Sequence, residues 1–225
     1  MIRMRSAWLP ALLAALLLTS GGCGSTGVDG GVGGTGISTI TGNVAVGAGA
    51  VVLTREDLED IGVGIQGTNL RTFTDREGEF TLEGAFDGEV TIEFTERNGT
   101  TSTLPVEVPS GGVVSLRNVR FNRGRATPER IEVDFEAVVQ EDAQCVGDGG
   151  TVVLADSESR NPTLVSLDGA AYEVDSRGCG EVTDPSCVEL TAQRLVRISG
   201  TQTNGQIRAL RIRLIKCGRP RSARP

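Results

Sequence analysis

The 225-residue chain has no histidine. That absence removes Ser–His and Cys–His pairs, imidazole acid/base chemistry and His-ligated zinc, copper or haem. Aromatic side chains are scarce at 4%, with one Trp, one Tyr and six Phe. Trp8 and both methionines, Met1 and Met4, stand within the first eight residues. With no His, and no Met beyond residue 4, soft copper sites are not expected. Lys216 is the only lysine, which argues against a Schiff base or a Ser–Lys dyad. Paired carboxylates, lone thiols and oxygen-ligated cations stay open. A net charge of −7 argues against a general nucleic-acid binder.

What is present begins with an export signal. Arg3 and Arg5 precede an apolar run from Ala7 to Leu18, and small residues lead to Cys23. The run is too short to cross a bilayer, so residues 1–22 read as a signal peptide. Ser20-Gly21-Gly22-Cys23 resembles the bacterial lipobox, although Ser20 stands where leucine is usual. The resemblance implies cleavage before Cys23 and acylation of its thiol. Gly24 rather than Asp comes next, which by the enterobacterial sorting rule implies the outer membrane. Loss of residues 1–22 leaves 20 basic and 29 acidic side chains, a net −9, because only Arg3 and Arg5 of the 22 basic groups are removed.

Glycine is abundant, 31 residues or about twice the usual share. Residues 24–36 are Gly-rich and cannot bury enough apolar surface to offset the entropy of ordering them. Residues 23–37 are therefore expected to form a lipid-anchored tether, with a root-mean-square span of about 20 Å and a contour limit of about 45 Å. No strand precedes these glycines and no helix comes after them, which argues against a phosphate loop.

Residues 38–122 alternate short apolar runs with turn signals. Val90, Ile92 and Phe94 share one face, with Thr91 and Glu93 on the other. Asp87-Gly88, Asn98-Gly99 and Ser110-Gly111-Gly112 punctuate the strands. Many short strands at this spacing predict an antiparallel sandwich. The run Thr72 to Gly84, with Thr74-Asp75, Gly78 and Phe80-Thr81-Leu82, resembles the carboxypeptidase regulatory-like domain, a transthyretin-like seven-strand sandwich. A later Gly88-Glu89-Val90-Thr91-Ile92 extends the likeness over roughly residues 39–121. The resemblance implies a non-catalytic accessory or binding module. Asp75 would cap its turn, Gly78 would take the left-handed position, and Phe80 and Leu82 would be core.

Residues 123–218 form a second module. Ile131, Val133, Phe135 and Ala137 alternate with Glu132, Asp134 and Glu136, a strand with one wet face. Further strands are expected at 151–155, 164–167, 171–174, 195–199 and 206–215. In the last, Leu210, Ile212 and Leu214 are expected on one face and Arg211 and Arg213 on the other. Tyr172 to Asp175, Gln193 to Gly200 and Ile207 to Ala209 resemble an uncharacterised bacterial family of small β domains. The expectation is a five- or six-strand, OB-like barrel. Asn122 to Pro128 reads as a hinge, and residues 219–225 as a disordered basic tail. The fold class is thus all-β: a transthyretin/Ig-like sandwich followed by a small OB-like barrel.

Cys145, Cys179, Cys187 and Cys217 all lie in the second module. An even count in an exported chain argues for two disulfides. Of three connectivities, Cys179–Cys187 with Cys145–Cys217 is the expected one. A zinc site built from all four thiols is the rival, but the eight-residue spacing of Cys179 and Cys187 is long for structural zinc. The absence of Cys-x-x-Cys argues against redox catalysis.

Other candidates have plainer readings. Glu56, Asp57, Glu59 and Asp60 suit a hard cation such as calcium, but the alternating ligand pattern and tight glycine turn of a calcium loop are missing. Asp142 and Asp148 beside Gly149-Gly150 make a weaker case. Glycoside hydrolysis would need two carboxyls about 5–10 Å apart across a cleft. The six Phe residues are expected in the core, leaving only Tyr172 for stacking on a sugar. Arg208, Arg211, Arg213, Lys216, Arg219, Arg221 and Arg224 form a basic end, expected either to meet anionic lipid or to be balanced by acids on adjacent strands. The chain is expected to be a non-catalytic outer-membrane lipoprotein facing periplasm or cell surface. No metal or cofactor is expected. It would be held by its lipid and present β surface to an envelope protein or polymer. The alternative is a calcium-dependent module or a carboxylate-based hydrolase.

Overall fold

Alternating apolar and polar residues build nearly every element. The computed structural model describes residues 36–46, 54–155, 161–175, 177, 179, 182 and 184–216. The signal peptide, tether residues 23–35, the run Ala50–Leu53, Cys217 and the basic tail lie outside the described residues. The strands are β1 (Ser38–Val44), β2 (Gly62–Ile65), β3 (Arg71–Phe73), β4 (Glu79–Gly84), β5 (Gly88–Thr95), β6 (Thr101–Val108), β7 (Val113–Asn122) and β8 (Arg125–Thr127). They continue as β9 (Arg130–Val139), β10 (Gln144–Val146), β11 (Gly149–Ala155), β12 (Thr163–Ser166), β13 (Ala171–Val174), β14 (Leu195–Thr203) and β15 (Gln206–Lys216).

The first eight strands make a sandwich. One sheet runs β4-β1-β7, with β1 antiparallel to β4 and parallel to β7. The other runs β3-β2-β5-β6-β8, and β8 also pairs with β7. Phe80 and Phe94 meet edge to face between the sheets at 5.7 Å, and Phe121 lies 5.4 Å from Phe94. These rings, with Ile40, Ile92, Val106 and Leu116, are buried. Each large side chain so buried contributes roughly 1.5–3 kcal/mol.

The remaining strands close a barrel in the order β9-β11-β12-β15-β14 and back to β9. Every pairing in the ring is antiparallel except β12 with β15. This is the five-strand OB arrangement that residues 123–218 predict. Ile131 to Val139 keep the expected inward phase, with Val133, Phe135, Ala137 and Val139 buried.

The phase expected for β15 is corrected by a bulge. Ser199 pairs with Arg211 and Gly200 with Ala209, so Leu210 is the extra residue. Ile207 and Ala209 point inward before the bulge, and Ile212 and Leu214 after it. Leu210 is left outside, 51% exposed, instead of sharing a face with Ile212.

The segment 122–128 does not behave as a hinge. Arg123 and Gly124 make a tight turn with positive φ, and β8 returns along β7. β7 then pairs directly with β9 from Arg117↔Arg130 to Val113↔Asp134. The sheet runs unbroken from sandwich to barrel.

Candidate functional site: the cleft between sandwich and barrel

The β7–β9 ladder holds the β14–β15 turn of the barrel against the outer face of β5, β6 and β8. A cleft of about 520 Å³ lies between them. That is within the range of small-ligand sites. Its sandwich wall carries Glu89, Leu104, Pro105, Glu107 and Arg125; its barrel wall carries Ile131, Gln202, Thr203 and Asn204.

Gln202 keeps the inward phase of β14, after Val196, Ile198 and Gly200. Its side chain is 5% exposed, yet neither Oε1 nor Nε2 has a hydrogen-bond partner. A buried carboxamide left unpaired costs roughly 1–3 kcal/mol.

Glu89 and Glu107 stand directly opposite each other in the β5–β6 ladder. Like charges so placed destabilise a sheet. Burial pushes the Glu107 carboxyl above its ordinary value, and the charges of Glu89 and Asp87 push it further. Among the described residues no basic side chain comes within ion-pair distance of Glu89 or Glu107. Arg125 lies on the same face, four residues along the sheet, since it is the register partner of Thr103. At about 3.3 Å per residue this separates Arg125 from the Glu107 end by about 13 Å. Along the sandwich wall the Glu89–Glu107 pair and Arg125 thus set opposite charges apart, and Glu129 and Arg130 add one charge of each sign to the lining.

A second groove, of about 420 Å³, lies where β7, β9, β14 and β15 meet. Val113, 41% exposed, and Leu210 give it apolar surface. Its polar rim is already engaged: Arg197 and Ser199 with Asp134 (2.8 Å each), and Arg211 with Glu173 (3.0 Å). In the junction cleft Glu129 and Arg130 are likewise engaged, by Asn118 and Glu132, but Glu89, Glu107 and Arg125 make no side-chain ion pair and Gln202 no side-chain hydrogen bond among the described residues, which makes it the stronger candidate.

The residues singled out by sequence are dispersed. Asp57 accepts from the backbone and hydroxyl of Thr54 at 2.8 and 2.7 Å, which holds its carboxyl below the usual range. Glu59 meets Arg76 and Arg97, and Asp60 meets Arg97. The acidic loop is thus bound up with arginines. No group of three or more metal-ligating side chains occurs among the described residues. Asp142 accepts from the Ala192 N–H at 2.8 Å. In the basic end, Arg208 donates to the Asp168 carbonyl, Arg211 pairs with Glu173, and Arg213 lies 3.8 Å from Asp175. Acids on β13 and its flank thus balance Arg211 and Arg213, while Arg208 is held by a backbone carbonyl.

Asp75 accepts from the N–H groups of Glu77 and Glu79 at 3.0 and 2.8 Å. Gly78 has φ +78°, and a Cβ there would sit 2.7 Å from the Val44 carbonyl oxygen. One of the six Phe residues departs from the core. Phe73, on the edge strand β3, is 65% exposed, because its strand phase places it on the outer face against Gly62. It is three strands away from β6.

The expected disulfide pairing is also corrected. Cys145 on β10 bridges Cys187 in the short 3-10 turn before β14. The β10–β11 hairpin folds over that turn, so the two thiols meet across 42 residues of sequence. Cys179 is disulfide-bonded as well.

Neither Gln202 nor the Glu89–Glu107 pair was a candidate in the sequence. Gln202 carried one signal, a polar residue in the buried phase of a strand. The carboxylate pair carried none, because only the β5–β6 register brings it together.

No family model matches the chain, and no curated protein does. Among solved structures, one similar chain is from Bacteroides uniformis and is described as a candidate carbohydrate binding protein. It has 13% identity, covers 75% of this chain and 91% of its own, and superposes with a TM-score of 0.25. Another, a DUF3823 family protein from Parabacteroides merdae, has 13% identity, 80% and 99% coverage, and a TM-score of 0.25. Likeness at that level carries no argument about this chain.

Proposed function

We propose that the chain is a cell-envelope lipoprotein, held by an acylated Cys23 and its Gly-rich tether, whose sandwich and barrel bind a ligand without turning it over. The observation that carries the binding half is Gln202: a buried carboxamide with no partner, in a preformed cleft between two modules joined by a continuous sheet. The anchoring half rests on the signal-like start and the small residues before Cys23. The lack of histidine weighs against imidazole-based hydrolysis, and the engagement of the acidic loop by Arg76 and Arg97 weighs against a calcium module there. The motif from Thr72 to Gly84 supports an accessory role through its likeness to transthyretin-like modules.

The test is intact mass and radiolabelled palmitate incorporation of the protein extracted from a bacterial host. The expected result is a mass increment of a diacylglyceryl group and acyl chains on Cys23, with Cys23→Ser moving the protein to the soluble fraction. Recovery of an unacylated, soluble parent protein would overturn the anchor. Reproducible hydrolytic turnover abolished by one acidic substitution would overturn the non-catalytic reading.

A further inference from the structure

We propose that the junction cleft binds a short extended peptide, seating a lysine or arginine side chain between Glu89 and Glu107 and pairing a backbone amide with Gln202. The proposal rests on the binding role given above and specifies its ligand.

Three observations lead to it. Gln202 lines the cleft with a side chain that is 95% buried, and its carboxamide, one acceptor and two donors sealed from solvent, has no partner. The group that satisfies both ends of a carboxamide at once is another amide, which a peptide supplies at every residue. Glu89 and Glu107 face each other across the ladder with no basic side chain pairing either one among the described residues. An ammonium or guanidinium set between them relieves the repulsion and gains charge-assisted hydrogen bonds. Arg125, about 13 Å along the face, matches a carboxylate roughly four extended residues away. A base and an acid separated by a few amides is the chemistry of a peptide.

Other occupants fit less well. A neutral sugar is held mainly by stacking on aromatic rings, and no aromatic residue lines the cleft. Phe73 is exposed but lies on the far edge strand of the sheet. A divalent cation would need more ligands than the two carboxylates provide, and no group of three metal-ligating side chains occurs among the described residues.

The experiment uses the folded chain and tracks amide and side-chain NMR signals during titration. The probe is the pentapeptide acetyl-Lys-Gly-Gly-Gly-Asp-amide, whose acid lies four residues after its base. The comparisons are the same peptide with norleucine for lysine, and cellotriose. The expected result is saturable shifts in the Gln202 side-chain amide and the Thr203–Gly205 turn, with the norleucine peptide at least about tenfold weaker. Glu107→Gln and Gln202→Leu are each expected to weaken binding by about tenfold while leaving thermal stability equal or higher. A merely structural role for either residue would lower stability and leave no peptide dependence. The proposal is overturned if the norleucine peptide binds as well as the lysine peptide. It is equally overturned if the peptide leaves Gln202 unshifted, or if cellotriose shifts Gln202 and the peptide does not. The palmitate experiment reads the anchor separately, so loss of this proposal leaves that reading standing.

Discussion

Glu107 shows how a single side chain links stability to binding. Its folded carboxyl is pushed above the ordinary range by burial and by Glu89 and Asp87. The native state therefore holds its proton to higher pH than the unfolded chain. Stability falls as pH rises from the ordinary carboxylate range through the raised value, and the full penalty is present above it. Glu107→Gln is expected to stabilise the protein at pH 7 by about 0.5 kcal/mol, the scale of one like-charge cross-strand pair. The gain should vanish below about pH 4, where the parent carboxyl is protonated in both states. Thermal melts of parent and variant between pH 3 and 8 check the sign; a gain that persists unchanged at pH 3 contradicts it. Glu96 is raised for the same primary reason, burial, with Asp57 adding to it. Gly78 acts on the backbone instead. Its positive φ and the nearby Val44 carbonyl leave no room for a Cβ. Gly78→Ala is expected to cost about 1–3 kcal/mol by chemical denaturation, whereas Gly99→Ala, with open space around it, should lose only the backbone part.

At the scale of elements, β15 and the β10–β11 hairpin decide most. The bulge at Leu210 lets β15 keep its inward phase on both sides of an inserted residue. It depends on Gly200, where a Cβ would collide with the Arg208 carbonyl oxygen. Gly200→Val is accordingly expected to destabilise the fold as a whole, lowering the midpoint of its single thermal transition. The Cys145–Cys187 bridge closes 42 residues that include β11, β12 and β13. The chain-entropy model assigns a loop of that length about 4 kcal/mol. The Cys145→Ala/Cys187→Ala pair is expected to lower stability by about 2–4 kcal/mol under oxidising conditions, measured by guanidinium titration. A change within about 0.5 kcal/mol would mean that native-state strain cancels the entropic gain.

Sandwich and barrel, as described, are one body because β7 serves both modules. Its first half pairs with β1 and with β9, and its last residues pair with β8. Gly112 adds a close approach, since a Cβ there would lie 2.9 Å from the Phe135 Cβ of the barrel. Breaking the modules apart would expose a five-residue ladder and the buried Val114, Leu116 and Val133 at once. Thermal unfolding is therefore expected to be a single calorimetric transition with matching van't Hoff and calorimetric enthalpies. Two resolved endotherms would show that the ladder does not couple them. This coupling also fixes the cleft, whose two walls belong to different modules.

The sequence alone determined the features that arise from local pattern. Period-two alternation placed β5 and β9, and Asp75 with Gly78 marked a turn, because these depend on neighbours a few residues apart. It also set the chemistry out of reach, since no fold restores a missing imidazole. Strands β2, β3, β8 and β10 carry no such pattern; Gly-Val-Gly-Ile, Arg-Thr-Phe, Arg-Ala-Thr and Gln-Cys-Val are too short or too glycine-rich to show a period. Only tertiary structure decided the rest. The Cys145–Cys187 pairing, the outward Leu210, the β7–β9 ladder and the meeting of Gln202 with Glu89 and Glu107 all arise from contacts between distant segments. Those contacts are set by which registers bury the most apolar surface, and no window along the chain contains that information.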